Sequence, residues 1–169
     1  MARRHAALIP LSQDHRSALA LAFRLHNPAP PGPVTVTTPA STPASRAAEA
    51  LAFFRDHLVE HFAIEEELLF PALRSTGAPH GTEPGLLGRL VEEHRELEAR
   101  RARIERATSE GALCAALRAF ADLLESHVRA EERGLFAHFP DGLPEATVRE
   151  VETAIHARRP PDGAAACKL

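Results

Sequence analysis

Two stretches of the chain place a glutamate four residues after a histidine: His61 and Glu65 in "HFAIEEELLFPAL", and His127 and Glu131 in "HVRAEERGLFAHF". Laid over one another, they share the histidine, a Glu pair, a Leu-Phe step and a closing hydrophobe. Residues four apart on a helix sit one above the other, so each His-x-x-x-Glu pair aims a ring nitrogen and a carboxylate at one place. Nitrogen and oxygen donors in that arrangement suit a metal ion.

The apolar pattern around each pair says where that place is. Spacings of three and four select Leu51, Phe54, Leu58, His61, Glu65, Leu68 and Ala72 in the first stretch, and Leu113, Leu117, Phe120, Leu124, His127, Glu131 and Leu135 in the second. Both are inward stripes of helices, apolar above and below one polar pair. A second echo, "DHRSAL" from Asp14 and "EHRELE" from Glu93, adds His15 and His94. The stripe of His94 is Leu87, Leu90, His94, Leu97, Arg101 and Ile104, and that of His15 continues through Leu19 to Ala22 or Phe23. The chain therefore reads as two copies of a helical hairpin, each supplying His and then His-x-x-x-Glu. Packed about a pseudo-twofold axis, they bring four imidazoles and two carboxylates into one core.

Two buried carboxylates without counter-charge would cost several kcal/mol each. Cations offset that cost, and neutral imidazoles fill further coordination positions. Donors of this kind, with no thiolate, suit Fe, Mn, Zn, Cu or Ni rather than Ca or Mg. Six protein ligands exceed the needs of one catalytic ion, and two carboxylates able to bridge point to a dinuclear centre. The Glu-x-x-His motif of ferritin-like bundles is missing before His61, His94 and His127.

The elements that position these residues are helices. Strand signals are nearly absent, and the helical period predicts segments over about Ser12–Leu25, Thr42–Arg74, Thr82–Thr108 and Ser109–Phe139, with a short fifth helix over 143–158. Thr42, Thr82 and Ser109 are the expected caps, Pro43 suits the first helical position, and Pro71 should distort or end the second helix. The fold class is all-α: an antiparallel up-down-up-down four-helix bundle with a short extra C-terminal helix serving as lid or oligomer contact. Residues 1–158 read as a single domain with a proline-rich loop at 27–45, and 159–169 as a disordered tail. The 23 acidic and 20 basic residues give no electrostatic case for nucleic acid or anionic lipid. Without Trp or Tyr, base-stacking platforms and tyrosyl chemistry are poor fits. Cys114 and Cys167 stand outside any metal-finger or redox spacing, no stretch is long enough to span a membrane, and a cytoplasmic protein is expected.

The residues His15, "HFAIEEELLFP", "EHRELE" and "HVRAEERGLF" together resemble the hemerythrin-like, or HHE cation-binding, family over about Ser12–Phe139. The resemblance implies two iron ions, with Zn or Mn as alternatives. It makes His15, His61, His94 and His127 terminal ligands and Glu65 and Glu131 bridges. It also implies binding, sensing or reaction with dioxygen, nitric oxide or peroxide at the core. Two departures stand out. Oxygen-carrying members have a second histidine one turn after the third-helix histidine, where this chain has Glu98, which either ligates or turns away and leaves a position open. Those carriers also set the last carboxylate five residues after its histidine, which here would select Glu132; the stripe and the first pair favour Glu131. His57, one turn before His61, is the candidate for an extra ligand or an outer group. Glu66, Glu67 and Glu132 read as surface charges, and His5, His80 and His156 as solvent-facing. The competing classes are a di-metal oxidase, peroxidase or hydrolase, and a metal-dependent interaction or iron-sensing module, with a homodimer or another protein as partner.

Overall fold

The computed structural model describes residues 5–27, 42–75 and 85–159. Most of the proline-rich segment, Thr82, His80, Cys167 and the tail beyond 159 lie outside the described residues. Helix α1 is Ile9–His26, led in by a 3-10 turn at Ala6–Leu8. It starts earlier than expected because Pro10 falls in the first turn, where its missing N–H is not needed, and because Ala7, Leu8 and Leu11 are buried. Helix α2 is the run 43–75, with the Thr42 hydroxyl accepting from the Ser45 amide as a cap and Pro43 in the first turn. Helix α3 is Leu86–Glu105, ending three residues short of the expected boundary. Helix α4 covers 110–136 behind a Ser109 cap, and α5 is Glu145–Arg158. No strand occurs among the described residues, and none of their helices is long and apolar enough to cross a membrane.

The two apolar clusters fix the topology. One joins the C-terminal half of α1, the N-terminal half of α2, the C-terminal half of α3 and the N-terminal half of α4, through residues such as Leu21, Phe54, Ile104 and Phe120. The other joins the opposite halves, through Leu11, Phe70, Leu90 and Phe136, and is closed by Val148, Val151 and Ile155 of α5. Only an antiparallel up-down-up-down arrangement sorts the halves this way. The polar residues of interest lie where the two clusters meet, at mid-bundle.

Three π turns interrupt the helices, at Phe54–Leu58, Glu65–Leu69 and Glu132–Phe136. An i→i+5 turn adds a residue and rotates the helix beyond it. The stripe therefore shifts after Glu65: Leu69, Phe70 and Leu73 are buried, whereas the expected Leu68 and Ala72 are half-buried. Pro71 does not end α2, which continues to Ser75. Elsewhere Leu86 is buried rather than the expected Leu87, Ala22 is the buried one of the pair Ala22 and Phe23, and Leu51 and Leu113 are half-buried. Gly134, within the last π turn, lets α4 approach the start of α3, since a Cβ there would sit 2.7 Å from Leu86 Cδ2.

Candidate metal centre

Each of the four long helices delivers one buried histidine to mid-bundle: His15 from α1, His61 from α2, His94 from α3 and His127 from α4. Glu65 and Glu131, one turn beyond His61 and His127, are wholly buried at 0% exposure. These six form two sets that share both carboxylates. His15, His61, Glu65 and Glu131 make one, and His94, His127, Glu65 and Glu131 the other, with all donor atoms of a set within 4.8 Å of one another.

The sharing is done oxygen by oxygen. Glu65 turns Oε1 toward His61 Nε2 at 3.3 Å and Oε2 toward His94 Nε2 at 3.3 Å. Glu131 turns Oε2 toward His15 Nε2 at 3.1 Å and Oε1 toward His127 Nε2 at 3.2 Å. Each carboxylate thus offers one oxygen to each histidine pair. Both oxygens of Glu65 and of Glu131, and Nε2 of His94 and His127, are buried without a hydrogen bond of acceptable geometry. Orphaned buried polar atoms are rare and costly. Here their lone pairs converge on two points, which fits a pair of cations.

The outer ring nitrogens are tied down as well. Nδ1 of His15 lies 2.7 Å from Glu132, that of His61 3.3 Å from Asp14, that of His94 2.8 Å from Glu66, and that of His127 2.9 Å from Glu93. A carboxylate only accepts, so each Nδ1 carries the proton and donates it. In the neutral ring each Nε2 lone pair then faces inward, the tautomer a metal ligand needs, and the Nε2 atoms of His15 and His61 lie 3.1 Å apart. Glu66 and Glu132 are therefore not the plain surface charges expected of them. They are half-buried partners of His94 and His15, brought inward where the π turns widen the helix. Glu67 does pair at the surface, with Arg158 at 2.6 Å.

The electrostatics reflect two carboxylates facing each other in the core. Burial holds the His61 ring toward its neutral form, yet the charge of Glu65, with Asp14 and Glu131 behind it, pushes the ring up to about 10. His127 is likewise opposed by burial and raised to about 10 by Glu131, with Glu93 and Glu65 adding to it. His94 is raised in the same sense: Glu131 and Glu65 outweigh its burial. For Glu131, burial works against ionisation, but His127, His15 and His94 hold the carboxyl well below its usual range. Glu65 is lowered against burial and the Glu131 charge by His61 and His94. The core demands positive charge, and in the cation-free protein the imidazoles supply it as protons.

The remaining expectations fall outside this cluster. His57 is 44% exposed at its side chain, stacks on Phe53, and has Nδ1 3.8 Å from Asp14, beside the outer carboxylate of His61. Glu98 is exposed on α3 and lines a cleft with Glu66, His94 and Arg95, away from the converging donors. His5 caps the first turn and meets the Phe139 ring edge rather than facing solvent freely. Arg101 sits over the Phe54 ring and pairs with Glu105. One turn from the histidines on their stripes, Leu58, Leu97 and Leu124 are buried and Leu19 is half-buried. Sequence reasoning does not single out Asp14 and Glu93, although a signal exists. Each precedes its histidine in the two echoes, as Glu66 and Glu132 each follow their glutamate.

Two surface clefts reach the centre at symmetry-related places. One, of about 380 Å³, is lined by Ile9, Ser12, His15, Arg16, Leu19 and Glu132. The other, of about 330 Å³, runs past Phe62, Glu66, His94 and Glu98.

Comparison with known proteins agrees with this geometry. The family model described as the Hemerythrin HHE cation binding domain matches residues 8–139. No curated protein and no solved structure matches the chain. The chain belongs to the hemerythrin HHE cation-binding family.

Proposed function

From membership of a cation-binding family and the two donor sets in the core, we propose that the chain is a non-haem di-iron protein that binds, senses or reacts with dioxygen, nitric oxide or peroxide. His15 and His61 would hold one ion, His94 and His127 the other, and Glu65 and Glu131 would bridge them. The observation that carries this reading is the split of each glutamate, one oxygen toward each histidine pair. Bound iron would supply reversible one-electron chemistry and an open position for a small molecule.

The chain's own residues set the conditions for that chemistry. Two nitrogens and two shared oxygens per set leave coordination positions unfilled on an ion that prefers six donors. The outer carboxylates of Asp14, Glu66, Glu93 and Glu132 fix ring orientation and make the imidazoles stronger donors. Leu58, Leu97, Leu124, Phe62 and Phe136 keep bulk water from the inner donors, with Phe62 stacked on His94 and Phe136 on His15. Small neutral molecules would reach the centre through the clefts at His15 and His94.

The test is to load the protein with ferrous iron under anaerobic conditions and titrate oxygen, nitric oxide and peroxide while recording absorption spectra. New visible bands saturating at a fixed ratio to the di-iron centre support the reading. A loaded protein whose spectrum is unmoved by oxygen, nitric oxide and peroxide would refute it.

A further inference from the structure

The outer carboxylates of the two half-bundles are not balanced in the same way. Glu93, which orients His127, has Arg89 Nε at 3.8 Å, one turn back on its own helix. The repeat that maps Glu93 onto Asp14 and His94 onto His15 maps Arg89 onto Pro10. Proline carries no charge, so this position of α1 supplies no cation to Asp14, although the Asp14 side chain is only 11% exposed. Buried carboxylates require a compensating charge or donor.

That cation arrives from the far end of the chain. Arg159, the residue after α5, places Nη2 3.1 Å from Asp14 Oδ2, the oxygen that faces His61 Nδ1 at 3.3 Å. The same Nη2 donates to the His57 carbonyl at 3.1 Å, fixing the guanidinium to α2 one turn from His61. Arg158 beside it pairs with Glu60 at 2.7 Å and Glu67 at 2.6 Å, but not with Asp14. Val148, Val151 and Ile155 seat the rest of α5 in the lower core. Helix α5 lies beyond the 8–139 span of the family match, so this contact is an addition to the common bundle.

We propose that Arg159 is a positioning residue of the metal centre, acting through Asp14 on His61 and so on cation binding in the His15–His61 set. The inference rests on the proposed cation site. Holding Asp14 in place keeps its oxygen on Nδ1 and the Nε2 lone pair of His61 aimed inward. Without Arg159, Asp14 can rotate toward water and His61 loses its orienting partner.

The experiment titrates the cation-free full-length protein with Co2+, following its visible absorption as a spectroscopic probe of coordination. The wild type is compared with Arg159→Ala, Arg159→Lys and Arg158→Ala. Removing an outer partner of a metal-bound histidine typically costs 10–100-fold in affinity. Arg159 is one contact further out, so Arg159→Ala should weaken one of the two binding phases by roughly 3- to 10-fold. Arg159→Lys should recover part of that loss, and Arg158→Ala, which loosens α5 without touching Asp14, should leave both phases intact. Equal losses in Arg158→Ala and Arg159→Ala would reduce Arg159 to a docking contact and overturn the proposal. Unchanged binding in Arg159→Ala, with normal wild-type binding, would overturn it while leaving the metal centre standing. A wild type that binds no Co2+ would overturn the proposed cation site itself.

Discussion

Cation binding at the proposed centre should expel protons from its imidazole rings. In the cation-free protein His61 and His127 are pushed up to about 10 because Glu65 and Glu131 face them in the buried core. At pH 7 both rings hold nearly a full proton, and stripping one opposes cation binding by on the order of 4 kcal/mol per ring. His61 belongs to one donor set and His127 to the other, so each cation displaces at least one proton, and His94, raised by Glu131 and Glu65, adds to the count in its set. The carboxyls of Glu65 and Glu131 are shifted downward and already ionised, so they contribute none. The binding constant of each ion should then rise at least about tenfold per pH unit across pH 6.5–8. Calorimetric titration with Co2+ in two buffers of different ionisation enthalpy counts the released protons directly. Release of about one proton or more per bound ion supports the reasoning. Release near zero, with affinity flat over that range, would show that the rings are neutral in the cation-free protein and that the facing carboxylates are balanced in another way.

The same shifts set the pH profile of the cation-free fold. Ring pKa values raised from 6.5 to about 10 contribute stability that is complete below about pH 6.5 and is lost as pH rises toward 10. The lowered carboxyls act oppositely, stabilising above about pH 4.5 and failing as pH falls. Thermal melts of the chelated protein should accordingly peak between those limits and decline from pH 7 to 10. Glu131→Gln should lose both ions in elemental analysis, whereas His127→Ala should spare the His15–His61 ion, because only the glutamates are shared. Glu66→Gln should weaken the His94 side by about 10- to 100-fold in a Co2+ titration, while Glu67→Gln, at the surface, leaves it unchanged. Phe120→Ala, which removes a wholly buried ring from the cluster of Leu21, Phe54 and Ile104, should cost about 3–5 kcal/mol in urea unfolding.

Much of this centre was legible in the sequence because helical spacing places side chains on a shared face. His61 and Glu65, and His127 and Glu131, needed only the four-residue spacing, and the echo at Asp14 and Glu93 added His15 and His94. The caps at Thr42 and Ser109 followed from local chemistry. What the sequence hid depends on contacts between helices. The π turns at Glu65 and Glu132 shift the phase by one residue, so Leu69 and Phe70 replace Leu68, and Glu66 and Glu132 turn from solvent toward the outer rings. Periodicity assumes a uniform turn and cannot register that shift. The Arg159–Asp14 pair joins residues from opposite ends of the chain, and no local pattern announces it.

The central claim is that two cations share Glu65 and Glu131. The most direct test is elemental analysis of the full-length protein produced with iron supplied, beside its Glu131→Gln variant. Shared bridging predicts close to two irons per wild-type chain and almost none in the variant. One ion per chain, or two retained without the Glu131 carboxylate, would contradict it.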